Sequence, residues 1–152
     1  MISVLITAND DPKALTRLLT GLVPAAAEGL VKHVAVIGAT EAAEAVADDA
    51  GADLYAAGAF AEAFDRAKGP WVAGLPLGVN FAPGWMELLI AHLAKDAATP
   101  ARLVCRPAGI SFSSKPEGWL VPKRLAASAV VVEQDLQRLA RRGGRLRVLD
   151  RR

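Results

Sequence analysis

The chain has 152 residues, 53% apolar and 22% charged, with a formal net charge of +2, which favours one folded domain over two and over a disordered chain. No apolar run approaches the roughly 20 residues that span a bilayer. The opening Met1-Ile2-Ser3-Val4-Leu5-Ile6-Thr7 lacks a basic n-region and meets Asp10-Asp11 too soon for a secretory signal; with Cys105 as the only cysteine, an internal disulfide is excluded and a cytoplasmic location is expected.

Ile2 to Ile6 is an apolar, β-branched run and reads as the first strand. Asp10 or Asp11 can cap a helix with Pro12 in its first turn, and Leu15, Leu18, Leu19 and Leu22 then share one face. After the Gly29 break, His33 to Ile37 predicts a second strand, and Gly38-Ala39-Thr40 leads into an alanine-rich helix over 41–50. Gly51 ends that helix before a short strand over 52–55. A weak helix over 60–67 precedes a strand from Trp71 to Leu75, and Pro83-Gly84 opens a helix over 85–95. Beyond Pro100 the pattern thins to a strand near Leu103, a loop over 111–118, a strand or turn over 119–121, a helix within 124–142 and a last strand over 145–149. Strands alternating with helices predict an α/β fold, a mostly parallel sheet flanked by helices. Ligands of such sheets sit beyond the carboxyl ends of the strands, here Thr7 to Asp11, Gly38 to Glu41 and Pro76 to Asn80.

Charge is unevenly spread. Residues 1–100 carry 6 Lys/Arg against 12 Asp/Glu, whereas residues 101–152 carry 12 against 4. Arg138, Arg141, Arg142, Arg145, Arg147, Arg151 and Arg152 crowd the end of the chain. They form either a solvated face or a surface for anionic lipid or an acidic protein. Nucleic acid is not expected, because no stacking aromatics are interleaved with these arginines.

The segment Gly69-Pro70-Trp71-Val72-Ala73-Gly74-Leu75-Pro76-Leu77-Gly78-Val79-Asn80-Phe81-Ala82-Pro83-Gly84-Trp85 resembles the metal loop of family 2 glycosyltransferases with a GT-A fold. In that family a Gly-Asp-Trp start, an apolar strand, a His-Ala-Asp-Thr or Asp-X-Asp turn and a Pro-Gly-Trp helix start follow at this spacing. The resemblance covers most of the chain and is strongest over 2–95. It implies a compact, truncated GT-A-like domain spanning 1–152, with a basic segment over 138–152, and a nucleotide-sugar ligand.

Measured against the same family, several functional groups are replaced. Pro76, Leu77 and Gly78 stand where His, Ala and the metal-binding Asp are expected, so a divalent cofactor is not predicted. Gly38-Ala39-Thr40 replaces the Asp signature that contacts the nucleobase side of the donor, leaving Glu41 as a displaced carboxylate. Ala57-Gly58-Ala59-Phe60 replaces a Gly-Arg-Gly loop. Asp10 and Asp11 lie near the family's usual Asn-Glu pair, and are either nucleotide-sugar contacts or helix caps. Glu133-Gln134-Asp135-Leu136 looks like the Glu-Asp motif of the catalytic base, so Glu133 and Asp135 are either base candidates or helix-start acids.

Three functions follow as expectations. The first is a glycosyltransferase-like domain that has lost metal-dependent sugar transfer and acts as a binding or scaffolding module. A second is a metal-independent transferase whose phosphates are held by Lys115, Lys123 and Arg124. The third is a peripheral membrane or partner-binding protein acting through its arginine-rich end. His33 and His92 are too far apart in pattern for a metal site. Trp71, Trp85 and Trp119 are either a sugar-stacking set or core residues. A sheet edge over 100–122 is expected to be open to a second copy.

Overall fold

A computed structural model describes residues 1–95, 99–107, 115–126 and 132–151. In chain order the elements are β1 (Ile2–Thr7), α1 (Pro12–Ala27), β2 (Val31–Ile37), α2 (Glu41–Asp49), β3 (Asp53–Tyr55), α3 (Phe60–Asp65), β4 (Trp71–Leu75), β5 (Val79–Phe81), α4 (Trp85–Lys95), β6 (Ala101–Cys105), β7 (Gly118–Pro122), a 3-10 turn (Lys123–Ala126), α5 (Glu133–Arg141) and β8 (Gly144–Arg151). Among the described residues the strands form one eight-stranded sheet in the order β3-β2-β1-β4-β7-β6-β8-β5.

Pairing fixes the direction of every strand. β1 runs parallel to β2 and β4, β2 to β3, and β6 to β8, while β7 is antiparallel to both β4 and β6, and β5 to β8. All strands except β5 and β7 therefore point the same way, as the alternating pattern predicts. The carboxyl ends of β1, β2, β3, β4, β6 and β8 share one edge of the sheet, and β7 begins there.

Alternation along the strands feeds two cores. Ile2, Val4 and Ile6 of β1 face a core closed by Leu15, Leu18 and Leu22 of α1, Ala43 and Ala47 of α2, and Leu89 of α4. Leu5 faces the opposite side, where Ala63 and Phe64 of α3, with Leu136 and Ala140 of α5, cover Val72, Trp119 and Val121. Asp11 caps α1 by accepting from the Ala14 N–H at 3.0 Å, and this satisfies one of the helix's orphan donors.

The sheet cannot be flat. Four Cα steps from Leu75 to Val79 reach at most ~15 Å, whereas the order places three strands between β4 and β5, a separation of ~19 Å at ordinary strand spacing. Curling brings β8 and β5 back over the α1 side, so that Val79, Val148 and Leu149 join the same core as Leu75. Gly21 of α1 leaves the room for this, since a Cβ there would stand 2.6 Å from the Phe81 ring. A register shift between Leu103 and Cys105 accompanies the curl, with both Val148 and Leu149 buried.

The expected open edge over 100–122 is corrected: β6 and β7 are interior strands, each paired on both sides, and the edges are β3 and β5. Trp71 and Trp119 are buried at 5% and 1% exposure, so neither offers a face for sugar stacking. Trp85 stacks instead on Phe81 at 4.1 Å between centroids. Among the described residues no helix is long and apolar enough to cross a membrane.

Candidate functional site

The carboxyl edge of the sheet gathers the polar loops. After β1, Asn9 accepts from the Asp11 N–H at 3.0 Å, and Asp10 accepts from the Thr40 hydroxyl at 3.1 Å. Asp10 is thus tied to the loop after β2, while Asp11 serves the α1 cap. Glu41 lies exposed in the first turn of α2, where the helix dipole favours a carboxylate.

Glu133 lies at the same edge, half-buried in the first turn of α5. The Trp119 indole N–H donates to its Oε1 at 3.2 Å and the Thr7 hydroxyl to its Oε2 at 3.3 Å. Phe60 packs edge-on against Trp119 at 6.1 Å. One carboxylate therefore links β1, β7 and α5. Asp135, two residues on, turns to solvent and pairs with Arg138 at 3.6 Å. The structure separates the two base candidates: Glu133 faces the strand ends and Asp135 does not.

Two glycines define the open positions. Gly38 has φ +74°, with Ala57 Cβ 3.5 Å from where its own Cβ would be; Gly78 has φ +83° with nothing within 4 Å. Both backbones lie in the left-handed region that strains an L side chain. Among the described residues no group of three His, Cys, Asp or Glu is placed to hold a metal ion.

The three lysine and arginine candidates are divided by strand direction. Lys115 stands just before β7 at the carboxyl edge, in a groove of about 250 Å³ with Arg102, Glu117 and Arg141. Lys123 and Arg124 follow β7, which runs the other way, and so emerge at the opposite edge. There Lys123 Nζ donates to the carbonyls of Asp65 at 2.7 Å and Ala67 at 2.8 Å. Arg138 and Arg141 are exposed on α5, Arg142 just after it, and Arg145 and Arg147 on β8. Residues 111–114 of the expected loop, and Arg152, lie outside the described residues.

Ion pairs brace this end of the fold. Arg102 grips Glu117 through Nε at 2.9 Å and Nη2 at 2.6 Å. That hydrogen bonding, against some desolvation and with the charges of Arg102, Arg141 and Arg145, holds the Glu117 carboxyl below its ordinary value. A carboxyl depressed in the folded state stabilises above its unfolded pKa of about 4.3 and loses that contribution as the pH falls through the folded value. Glu117→Gln is therefore expected to flatten the loss of stability between neutral pH and about pH 3, read from urea midpoints across that range; an unchanged slope would remove Glu117 from the acid response. Burial pushes the Cys105 thiol up, and its Sγ lies 3.6 Å from the Pro116 carbonyl, a poor setting for a nucleophile.

Thr7 and Thr40 carry no sequence signal for these contacts, and Trp119 enters the cluster through its indole N–H rather than as a stacking face. The available signal was Gly74, a glycine inside a strand, which marks close approach by a neighbouring group.

No protein-family model matches the sequence, and no curated protein matches it. Solved structures do match in fold. Glucosyl-3-phosphoglycerate synthase from Mycobacterium tuberculosis in complex with phosphoglyceric acid superposes with a TM-score of 0.69 at 17% identity, over 100% of this chain and 72% of that one. The same enzyme with Mn2+, UDP-glucose and phosphoglyceric acid gives 0.68 at 17% identity, over 100% and 72%. A further mycobacterial protein gives 0.69 at 19% identity, over 100% and 67%. At these identities the likeness is one of architecture, and the chain has the mixed α/β fold of GT-A glycosyltransferase structures.

Proposed function

We propose that this chain is a family 2 glycosyltransferase-like domain without metal-dependent sugar transfer, acting as a binding or scaffolding module at the carboxyl edge of its sheet. The observation that carries this reading is the loop over 76–78. Metal-dependent transfer requires a cation to neutralise the leaving diphosphate, and hard cations bind through carboxylate oxygens. Gly78 supplies none, and its φ of +83° strains any side chain placed there. Glu133, engaged at both oxygens by Trp119 and Thr7, has a structural task that explains it without a reacting proton.

The ligand chemistry that suits this reading is a nucleotide-sugar or sugar, since Asp10, Thr40 and Glu41 remain at the edge and the fold's neighbours were solved with UDP-glucose. A second reading, metal-independent transfer, is favoured by one placement: Lys115 precedes β7 at the carboxyl edge of the sheet. Lys123 and Arg124, at the other edge, give it no support. Exposed Arg138, Arg141, Arg142, Arg145 and Arg147 support an acidic or anionic partner surface.

Calorimetric titration with UDP-glucose, with and without Mn2+, tests the main reading. The expected result is that Mn2+ adds no binding. Micromolar affinity appearing only with Mn2+, or Mn2+-dependent turnover of the donor, would overturn it.

A further inference from the structure

Val34 of β2 lies on the sheet face that α1 and α2 cover, yet it is only half-buried. The cause is the composition of α2: Glu41–Asp49 holds one apolar side chain larger than alanine, Val46, so the helix leaves space between itself and α1. What remains is a cleft of about 420 Å³ lined by Leu19, Leu22 and Val23 of α1, Val46 of α2, and Val34. It runs from solvent to the core, since Val23 is 60% exposed whereas Leu19 and Leu22 are buried.

We infer that this cleft binds a small hydrocarbon ammonium, an alkyl or aryl amine whose apolar body lies between α1 and α2 and whose cation meets Asp49. The polar groups along the cleft accept hydrogen bonds and have no proton to offer. The Thr16 hydroxyl already donates to the Pro12 carbonyl at 2.8 Å, and the Thr20 hydroxyl to the Thr16 carbonyl at 2.7 Å. Pro24 stands inside α1 and has no N–H for the Thr20 carbonyl four residues earlier, which is left short of its helix bond. Asp49 lines the cleft and is exposed, and among the described residues no lysine or arginine lines it. An ammonium has three donors and no acceptor, so it matches this set. A carboxylate ligand would face Asp49 as a like charge, and a neutral hydrocarbon would leave that carboxylate uncompensated beside an apolar body. The volume is within the range of small-molecule sites. Asp49 ends α2, whereas α2 begins at the carboxyl edge, so the charged end of the cleft is apart from the Thr7–Trp119–Glu133 cluster.

The site is independent of nucleotide-sugar binding, so either reading can fail alone. Octylamine and octanoate are titrated calorimetrically at neutral pH and low salt. Saturable octylamine binding is expected, about fivefold or more tighter than octanoate. Asp49→Asn should bring the two probes within about twofold of each other, while Asp48→Asn, an equal charge change outside the lining, should leave the preference intact. Ala50→Leu fills the cleft from the α2 side and should abolish binding of both probes; Ala26→Leu does so from α1 and serves if the first variant unfolds. Sedimentation equilibrium at the same concentrations should show a monomer. No saturable octylamine binding, an octanoate affinity equal to that of octylamine, binding that survives both filled variants, or a dimer that Ala50→Leu dissociates would overturn the inference, the last by giving the cleft to a second copy of the chain.

Discussion

Gly74→Ala is expected to destabilise the fold by ~3 kcal/mol, at the upper end of overpacking penalties, and to lower the melting temperature by about 10 °C for a domain of this size. A Cβ at Gly74 would stand 2.0 Å from Trp119 Cε2 and 2.2 Å from its Nε1. The indole has no retreat, because Trp119 is 1% exposed, with Phe60 against its ring and Glu133 on its nitrogen. The backbone is equally confined: β4 and β7 pair Gly74 with Trp119, and a Cβ on neighbouring Gly118 would meet the Gly74 carbonyl at 2.4 Å. Gly144→Ala serves as the control, since its added methyl meets nothing within 4 Å. Thermal melts of the two variants check the argument; a Gly74→Ala protein that melts with Gly144→Ala would refute it.

What could be read from the sequence, and what could not, divides along local and non-local physics. Pro12 after Asp11, and Pro83-Gly84 before Trp85, are local signals, and α1 and α4 begin at Pro12 and Trp85 as expected. The run from Trp71 to Leu75 is likewise a strand with the expected limits. The residues of β5, Val79–Phe81, carry no strand signal of their own. They hold a strand only through pairing with β8, some 70 positions later, and no local pattern encodes that partner. Strand direction was the other hidden variable. Lys115 and Lys123 flank one short strand and look equivalent in sequence, yet the antiparallel course of β7 sends them to opposite edges of the sheet. Asp135 shows the same limit at the scale of a helix: two positions from Glu133 it lies around the helix, out of reach of the strand ends.

Because one carboxylate and one indole join three elements, the fold and the candidate site share their weakest points. Glu133 holds the start of α5 against β1 and β7, so a change made to probe chemistry there also loosens packing. A loss of ligand binding in a Glu133 variant carries meaning only beside its unfolding curve.

Trp119→Ala is expected to cost ~4 kcal/mol, the range for emptying a buried aromatic site, and to leave Glu133 Oε1 without its indole donor. The informative measurement is its coupling to Gly74→Ala. With the indole gone, the added methyl enters vacated space, so the double variant should be more stable than the sum of the single losses by ~2 kcal/mol. Urea unfolding followed by far-UV circular dichroism reads all corners of the cycle without relying on tryptophan emission. Should Trp119→Ala fail to fold, Trp119→Leu keeps part of the apolar volume and preserves the sign of the coupling. Additivity within ~0.5 kcal/mol would mean that Gly74 is not there to admit the indole, and the account of how β4, β7 and Glu133 are held together would fail with it.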